Sequence, residues 1–328
     1  SRRIGASSVF FISMDTLSFP IFAARASSHS SVSFCFIREN LPFPVQYVSA
    51  RAYNTGKFFM WGERMQSGIR CFAGANTARG FVSGFDGVFS GRRRVFYIKG
   101  APGVGKSGLM RRVAGRQSAA GHAVSLFSCS SDPDSLDGIV DETLDVAMLD
   151  ATSPHAYDPL LPGARDILLN LGEFLDCDAL SGDVSRLEEL RARTAECFRN
   201  ACAYLRCSSL PAIRLFYSSA ARPAGDFRKP ENDLKALLPD EARPGGRERR
   251  FFLGAHTCMG YVSFAGDFAR EITVRVACPF GGSPDALLRA LGAEARARGL
   301  DVVYFLDPLS PETYAQLYLP QLPLFITG

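Results

Sequence analysis

The sequence predicts an α/β fold made of two related tandem units, each with a mainly parallel sheet, the second one degenerate. Three observations point there. The chain repeats itself, short apolar runs of strand length alternate with helical stretches, and a glycine-rich turn joins one such run to a helix. The repeat is clearest where Arg70–Ser83 (RCFAGANTARGFVS) lies over Arg250–Ser263 (RFFLGAHTCMGYVS) at an offset of 180 residues, with eight of fourteen positions identical. After a two-residue adjustment the offset becomes 178, which pairs Leu109 with Leu287, Val124 with Val302, Pro133 with Pro311 and Leu144 with Leu322.

In copy one the apolar runs Val95–Ile98, Ala123–Phe127 and Val146–Leu149 read as strands covered on both faces. In copy two the corresponding runs are Ile272–Val276, Val302–Leu306 and Leu322–Ile326. Between the copies, the apolar spacing predicts helices over Gly163–Asp176 and Val184–Leu205, the latter laced with Glu–Arg pairs. The proline, glycine and charge content of residues 222–249 predicts a linker. The expected units are therefore residues 65–221 and residues 250–328. Residues 1–64 show no sustained period, so they read as an extension outside the fold. Met65, preceded by Gly62-Glu63-Arg64, is the expected natural start, and the end at Gly328 leaves copy two reduced or truncated.

A chain of 328 residues has room for about two domains. With 47% hydrophobic and 21% charged residues it has the balance of a globular protein with a sizeable core. Net charge is only +4, and Arg92–Arg94 and Arg243–Arg250 lack interleaved aromatics. They read as solvated faces, and nucleic acid is not an expected partner. No apolar run reaches the roughly 18 residues of a membrane span, so no membrane partner is expected. Nine scattered cysteines without a Cys-x-x-Cys pair, and four histidines away from them, argue against a metal or disulfide framework and for a reducing cytoplasm.

Gly100-Ala-Pro-Gly-Val-Gly-Lys106-Ser107 fits G-x-x-x-x-G-K-[ST] after a predicted strand and before a predicted helix, the context in which this motif is a P-loop. Glycines let backbone N–H groups turn toward phosphate oxygens, and the helix N-terminus adds partial positive charge. The pattern predicts a P-loop NTPase fold that binds a nucleoside triphosphate, ATP with Mg²⁺. The expected nucleotide contacts are Gly100, Ala101, Pro102, Gly103, Val104, Gly105, Lys106, Ser107 and Gly108. Lys106 is expected on the β- and γ-phosphates, and Ser107 on the metal. Asp150, at the end of an apolar run, is the expected second metal residue, or else a strand-end cap.

No acidic residue follows Asp150, so a base for hydrolysis must come from elsewhere. In Cys129–Gly138 (CSSDPDSLDG), Asp132 or Asp134 could orient water or take a substrate hydroxyl; Asp134 could equally be a helix N-cap after a proline turn. His155 could sense the γ-phosphate or be a structural loop histidine. At the offset of 178, Lys106, Ser107 and Asp150 become Pro284, Asp285 and Gly328. Proline removes charge and an N–H, and Asp285 would repel phosphate, so copy two is expected to act as a partner of copy one.

RCFAGANTARG at Arg70–Gly80, GAPGVGKS at Gly100–Ser107, CSSDPDSLDG at Cys129–Gly138 and VAMLDATSPHAYDP at Val146–Pro159 together resemble the tandem P-loop ATPases of Gram-positive, largely clostridial bacteria. The resemblance runs from about Met65 to the end. It implies ATP binding by Gly100–Ser107 and a cytoplasmic setting, and supplies no substrate. The chain departs from the family pattern at the second loop, where a lysine would be expected, and in its early end. The leading expectation is ATP hydrolysis coupled to a conformational change between the copies. A small-molecule or nucleoside kinase and a nucleotide-sensing module that barely turns over are the alternatives.

Overall fold

In the computed structural model the described residues are 45–47, 68–152, 156–209, 228–239, 246–268, 271–276, 278 and 283–328. All belong to one unit, Val32–Gly328. Strand β1 (Val45–Tyr47) is part of the second sheet. Copy one contains β2 (Arg70–Cys71), the hairpin β3 (Gly74–Thr77) and β4 (Gly80–Ser83), and the short helix α1 (Phe85–Phe89). It continues with β5 (Arg94–Lys99), α2 (Lys106–Ala119), β6 (Val124–Ser128), β7 (Leu136–Asp141), β8 (Val146–Asp150) and β9 (Asp166–Asn170). Helices α3 (Cys177–Ser181), α4 (Val184–Ser208) and α5 (Arg228–Lys235) link to copy two. Copy two has β10 (Glu248–Phe251), the hairpin β11 (Gly254–Thr257) and β12 (Gly260–Ser263), and β13 (Ile272–Val276). It closes with α6 (Asp285–Ala297), β14 (Val302–Asp307), β15 (Ser310–Leu319) and β16 (Leu324–Thr327).

The first sheet runs β2-β6-β7-β8-β5-β9, parallel except for β7, which lies antiparallel between β6 and β8. The second runs β10-β14-β15-β16-β13-β1: its first five strands repeat the order of the first sheet, with β15 antiparallel to both neighbours, and β1 adds an antiparallel edge beside β13. The central strands are largely buried on both faces because each sheet carries a helix on one side and the other copy on its far side. In α2, Met110 and Ala114 point inward four residues apart. In α6, Leu287, Leu288, Leu291 and Ala295 make a wider inward stripe.

The structure departs from the sequence expectation in four places. Val45–Tyr47, within the stretch expected to lie outside the fold, joins the second sheet beside β13. Gly163–Asp176 is not a helix: Asp166–Asn170 forms the edge strand β9 beside β5, followed by a 3₁₀ turn over Leu171–Phe174. Asp166 anchors the start of this strand, its buried carboxylate accepting from the N–H groups of Leu160 and Leu161, at 2.8 Å each. The segment after Pro133 is not a loop into a helix but the antiparallel strand β7. Part of the expected linker folds as α5, whose Leu234 is fully buried with Leu288 and Leu291 in the core under α6.

The copies meet through matched residues. Phe72 and Phe252, equivalent at the offset of 180, bond reciprocally: each N–H donates to the other's carbonyl, at 2.8 and 3.0 Å. Arg70 pairs with Asp267 at 3.1 Å and lies 4.3 Å from the Phe264 ring centre. The backbone of Arg250 lies against Gly84 and Gly87, the counterparts of Phe264 and Asp267, so closely that a Cβ on Gly84 would sit 2.6 Å from the Arg250 carbonyl oxygen, while the Arg250 guanidinium pairs with Glu248 of its own copy. The reciprocal Phe72–Phe252 bonds define a local two-fold relation. Around it, Phe72, Phe85, Phe89 and Phe127 share one buried cluster with Phe251, Phe252, Phe268, Phe305 and Phe325.

A buried charge cluster stitches the same seam. Arg92 donates to Glu142 (2.8 Å) and Asp145 (3.2 Å), while Arg249 of copy two donates to Glu142 at 3.1 Å. Burial pushes the Glu142 carboxyl up, but Arg249 and Arg92 outweigh it and hold the group below the ordinary carboxylate range.

Phe251 is fully buried, edge-on to Phe127 of copy one (5.7 Å) and to Phe305 (5.5 Å). Phe251→Ala is expected to lower the free energy of unfolding by about 3–5 kcal/mol. Because the core is shared, denaturant unfolding followed by far-ultraviolet circular dichroism should remain a single transition. Separate melting of the two copies would contradict a shared core.

Candidate functional site

The site forms where β5 leaves the sheet. Gly100, Gly103 and Gly105 hold φ values of 151°, 88° and 91°, a backbone region that side-chain-bearing residues rarely enter. At Gly103 and Gly105 nothing stands within 4 Å of where a Cβ would sit, so backbone conformation rather than space calls for glycine. The loop thereby wraps the first turn of α2, whose leading N–H groups lack intrahelical partners. The result is a concavity lined by backbone N–H groups at a helix N-terminus, the geometry that suits an anion.

Lys106 opens α2 and is buried, 9% exposed. Its Nζ donates to the carbonyls of Gly100 (2.7 Å) and Ala101 (3.0 Å) and lies 3.5 Å from Asp150 Oδ2. Asp150 ends β8, adjacent and parallel to β5, and its Oδ1 accepts from Thr152 N–H at 2.9 Å. The Thr152 hydroxyl returns to the Gly100 carbonyl at 3.1 Å. Ser107 Oγ accepts from Leu136 N–H at 3.0 Å, tying the first turn of α2 to β7. The structure therefore brings Lys106, Ser107 and Asp150 together beside Gly100–Gly108.

Asp132 and Asp134 lie in the exposed turn before β7, at the same end of the sheet. Asp132 accepts from Asp134 N–H (3.3 Å) and from the Ser135 hydroxyl (2.7 Å), so it shapes its own turn. The helix N-cap reading of Asp134 is corrected, because a strand follows. His155 falls outside the described residues.

Asp137, within Cys129–Gly138 but not singled out by sequence, is the group the fold adds. The β7–β8 register pairs Gly138 with Leu149, so Asp137 stands across from Asp150 on the face that carries α2. It is 4% exposed, and burial pushes its carboxyl up to about 7; a hydrogen bond with Cys129 and the Lys106 charge oppose this, while Asp150 and Asp132 add to it. Burial likewise pushes the Cys129 thiol up to about 12. The signal was present in the alternation of Leu136–Asp141, which puts Asp137, Ile139 and Asp141 on one face. Among the described residues no group of three or more His, Cys, Asp or Glu is placed to hold a metal. Ser107 and two carboxylates offer hard oxygen donors only, a set that fits Mg²⁺ with water completing its shell.

The counterpart in copy two is altered residue by residue. Pro284 and Gly328 replace the Lys106–Asp150 pair and lie against each other, a Cβ on Gly328 falling 3.4 Å from Pro284 Cγ. Asp285 keeps the tether of Ser107, its Oδ1 accepting from Tyr314 N–H at 2.7 Å. Its other oxygen pairs with Arg289 at 2.7 Å, and Arg289 lies 4.2 Å from the Tyr314 ring centre. Asp285 is thus engaged internally rather than facing a ligand. Among the described residues, no helix is long and apolar enough to cross a membrane. No family model, curated protein or solved structure matches the chain significantly.

Asp137 gives a pH test in metal-free buffer. Its folded value of about 7 exceeds the ordinary 3.8, so its stability contribution is full below about pH 4 and is lost as pH rises through about 7. Asp137→Asn, neutral throughout, should match the wild type below about pH 4 and exceed it at pH 8 by up to about 4 kcal/mol. Thermal unfolding across this range checks it, and an equal offset at both ends would contradict a buried ionising Asp137.

Proposed function

We propose that the chain binds ATP with Mg²⁺ at Gly100–Gly108 and hydrolyses it, as a P-loop NTPase whose turnover is coupled to a change between the two copies. The observation that carries this reading is the buried Lys106 beside Asp150 at a helix N-terminus wrapped by positive-φ glycines. The loop N–H groups would hold phosphate oxygens, and Lys106 would exchange the Gly100 and Ala101 carbonyls for the β- and γ-phosphates. Ser107 and Asp150 would hold the metal, which when bound neutralises phosphate charge. Asp137 adds a second carboxylate beside Asp150 and strengthens the attraction of that corner for a divalent cation.

A second reading, slow turnover with tight binding, is favoured by the residues after β8. Asp150 is followed by Ala151 and Thr152, and the Thr152 hydroxyl is bonded to the loop. Neither residue brings a carboxylate to orient water. The resemblance to tandem P-loop ATPases agrees with both readings.

Lys106→Ala is expected to weaken binding of a fluorescent ATP analogue by roughly 10- to 100-fold, the worth of about 1.5–3 kcal/mol for a charge-assisted contact. Steady phosphate release by the wild type separates hydrolysis from sensing. Unchanged affinity in the variant would rule out the nucleotide reading.

A further inference from the structure

The local two-fold relation carries information about the live site. Its reciprocal contact is the Phe72–Phe252 bridge; beside it the Arg70 side chain lies on Phe264 and Asp267, and at the equivalent place the Arg250 backbone lies on Gly84 and Gly87. A further contact crosses the seam on one side. Arg79, at the tip of the β3–β4 hairpin, pairs with Glu312 near the start of β15 at 3.4 Å. This contact sets copy one's hairpin tip over the copy-two position that matches the glycine loop's neighbourhood, beside Asp285 and Arg289, since Arg289 also donates to the Glu312 carbonyl.

At the offsets of 180 for the hairpin and 178 for the strands, Arg79 corresponds to Met259 and Glu312 to Asp134. The hairpin β11–β12 repeats β3–β4 strand for strand, including its Thr257 turn: Thr77 and Thr257 each donate a hydroxyl to the carbonyl of the glycine three residues on, at 2.7 and 2.9 Å. Its tip is solvent-facing, with Met259 62% exposed and Cys258 an exposed free thiol. We infer that the tip of the copy-two hairpin, Cys258–Met259, overlies Asp134 at the mouth of the Gly100–Ser107 loop, so that the degenerate copy supplies a wall of the live site. That wall brings an apolar, polarisable side chain where its counterpart brings a guanidinium, and so lends contact rather than charge to a ligand. The part of this inference that concerns a nucleotide rests on the proposed ATP binding; the placement of the tip does not.

The test uses the full chain. Asp134→Cys, in an exposed turn, is treated with a short bis-maleimide and the linked tryptic peptides are identified in the monomer band. Arg79→Cys with Glu312→Cys provides the reference for the Arg79–Glu312 contact. A link between position 134 and Cys258, lost in Cys258→Ser, is expected at a yield within a few-fold of the reference. No such link, with Cys258 reacting freely with a monofunctional maleimide, would overturn the inference while leaving the nucleotide reading intact. In the otherwise unaltered chain, Mg-ATP should slow Cys258 labelling several-fold, and Lys106→Ala should remove the protection. A link without protection would uphold the placement and count against the nucleotide reading.

Discussion

The reciprocal pair of hydrogen bonds between Phe72 and Phe252 is the constraint on which the architecture turns. Two backbone strands can exchange N–H and carbonyl in this way only at one register, and that register fixes which residues of the two copies face each other. Everything at the seam must then serve two sheets at once. Phenylalanine suits this duty because it fills volume, carries no polar atom to satisfy, and meets another ring edge-on or stacked. Phe251 does so on both sides, edge-on to Phe127 of copy one at 5.7 Å and to Phe305 of copy two at 5.5 Å. Ten of the chain's 26 phenylalanines lie buried in this cluster.

Charge enters the same seam at one place. Glu142 takes guanidinium groups from Arg92 and Arg249, one from each copy, and Ser125 donates its hydroxyl at 3.1 Å. A buried pair of this kind adds little net stability compared with apolar packing, because desolvation offsets attraction. It does discriminate strongly against misplacement, since a slipped seam would leave an arginine buried without its carboxylate. The aromatic cluster supplies attraction between the copies, and the Glu142 cluster supplies alignment.

Much of this was legible in the sequence because repetition is visible without knowing what is repeated. The offsets of 180 and 178 carry β5, α2, β6 and β8 onto β13, α6, β14 and β16. The strands and helices that escaped were those whose chemistry disguises their conformation. In β7 aspartates at alternate positions look like turn residues, yet Asp137 and Asp141 are buried. In β9 the leucines imitate helical spacing because an edge strand leaves one face to solvent, with Leu168 53% exposed. Helix α5 was hidden by its charge, which leaves only Leu234 to mark the inward face. The glycine loop, Lys106, Ser107 and Asp150 follow from local pattern. Alternation along β7 gives Asp137 its face, but its place opposite Asp150 depends on which strand lies beside β8, and pairing across strands is not written in any local pattern.

Ser107 and Asp285 make the same bond to the neighbouring strand, one through a hydroxyl and the other through a carboxylate. The tether asks only for an acceptor oxygen at that reach, so anchoring the helix is separable from attracting an anion. One half of the molecule can therefore lose its ligand chemistry and still fold by the same rules. The loss also sets the form of the response. Two equivalent sites related by symmetry can influence each other's occupancy, but a single site facing a silent counterpart has no like partner within the chain. On the proposed reading, with one binding site at the Gly100–Ser107 loop and none in copy two, the saturation curve of one chain is a simple hyperbola, and any steepness has to arise between chains.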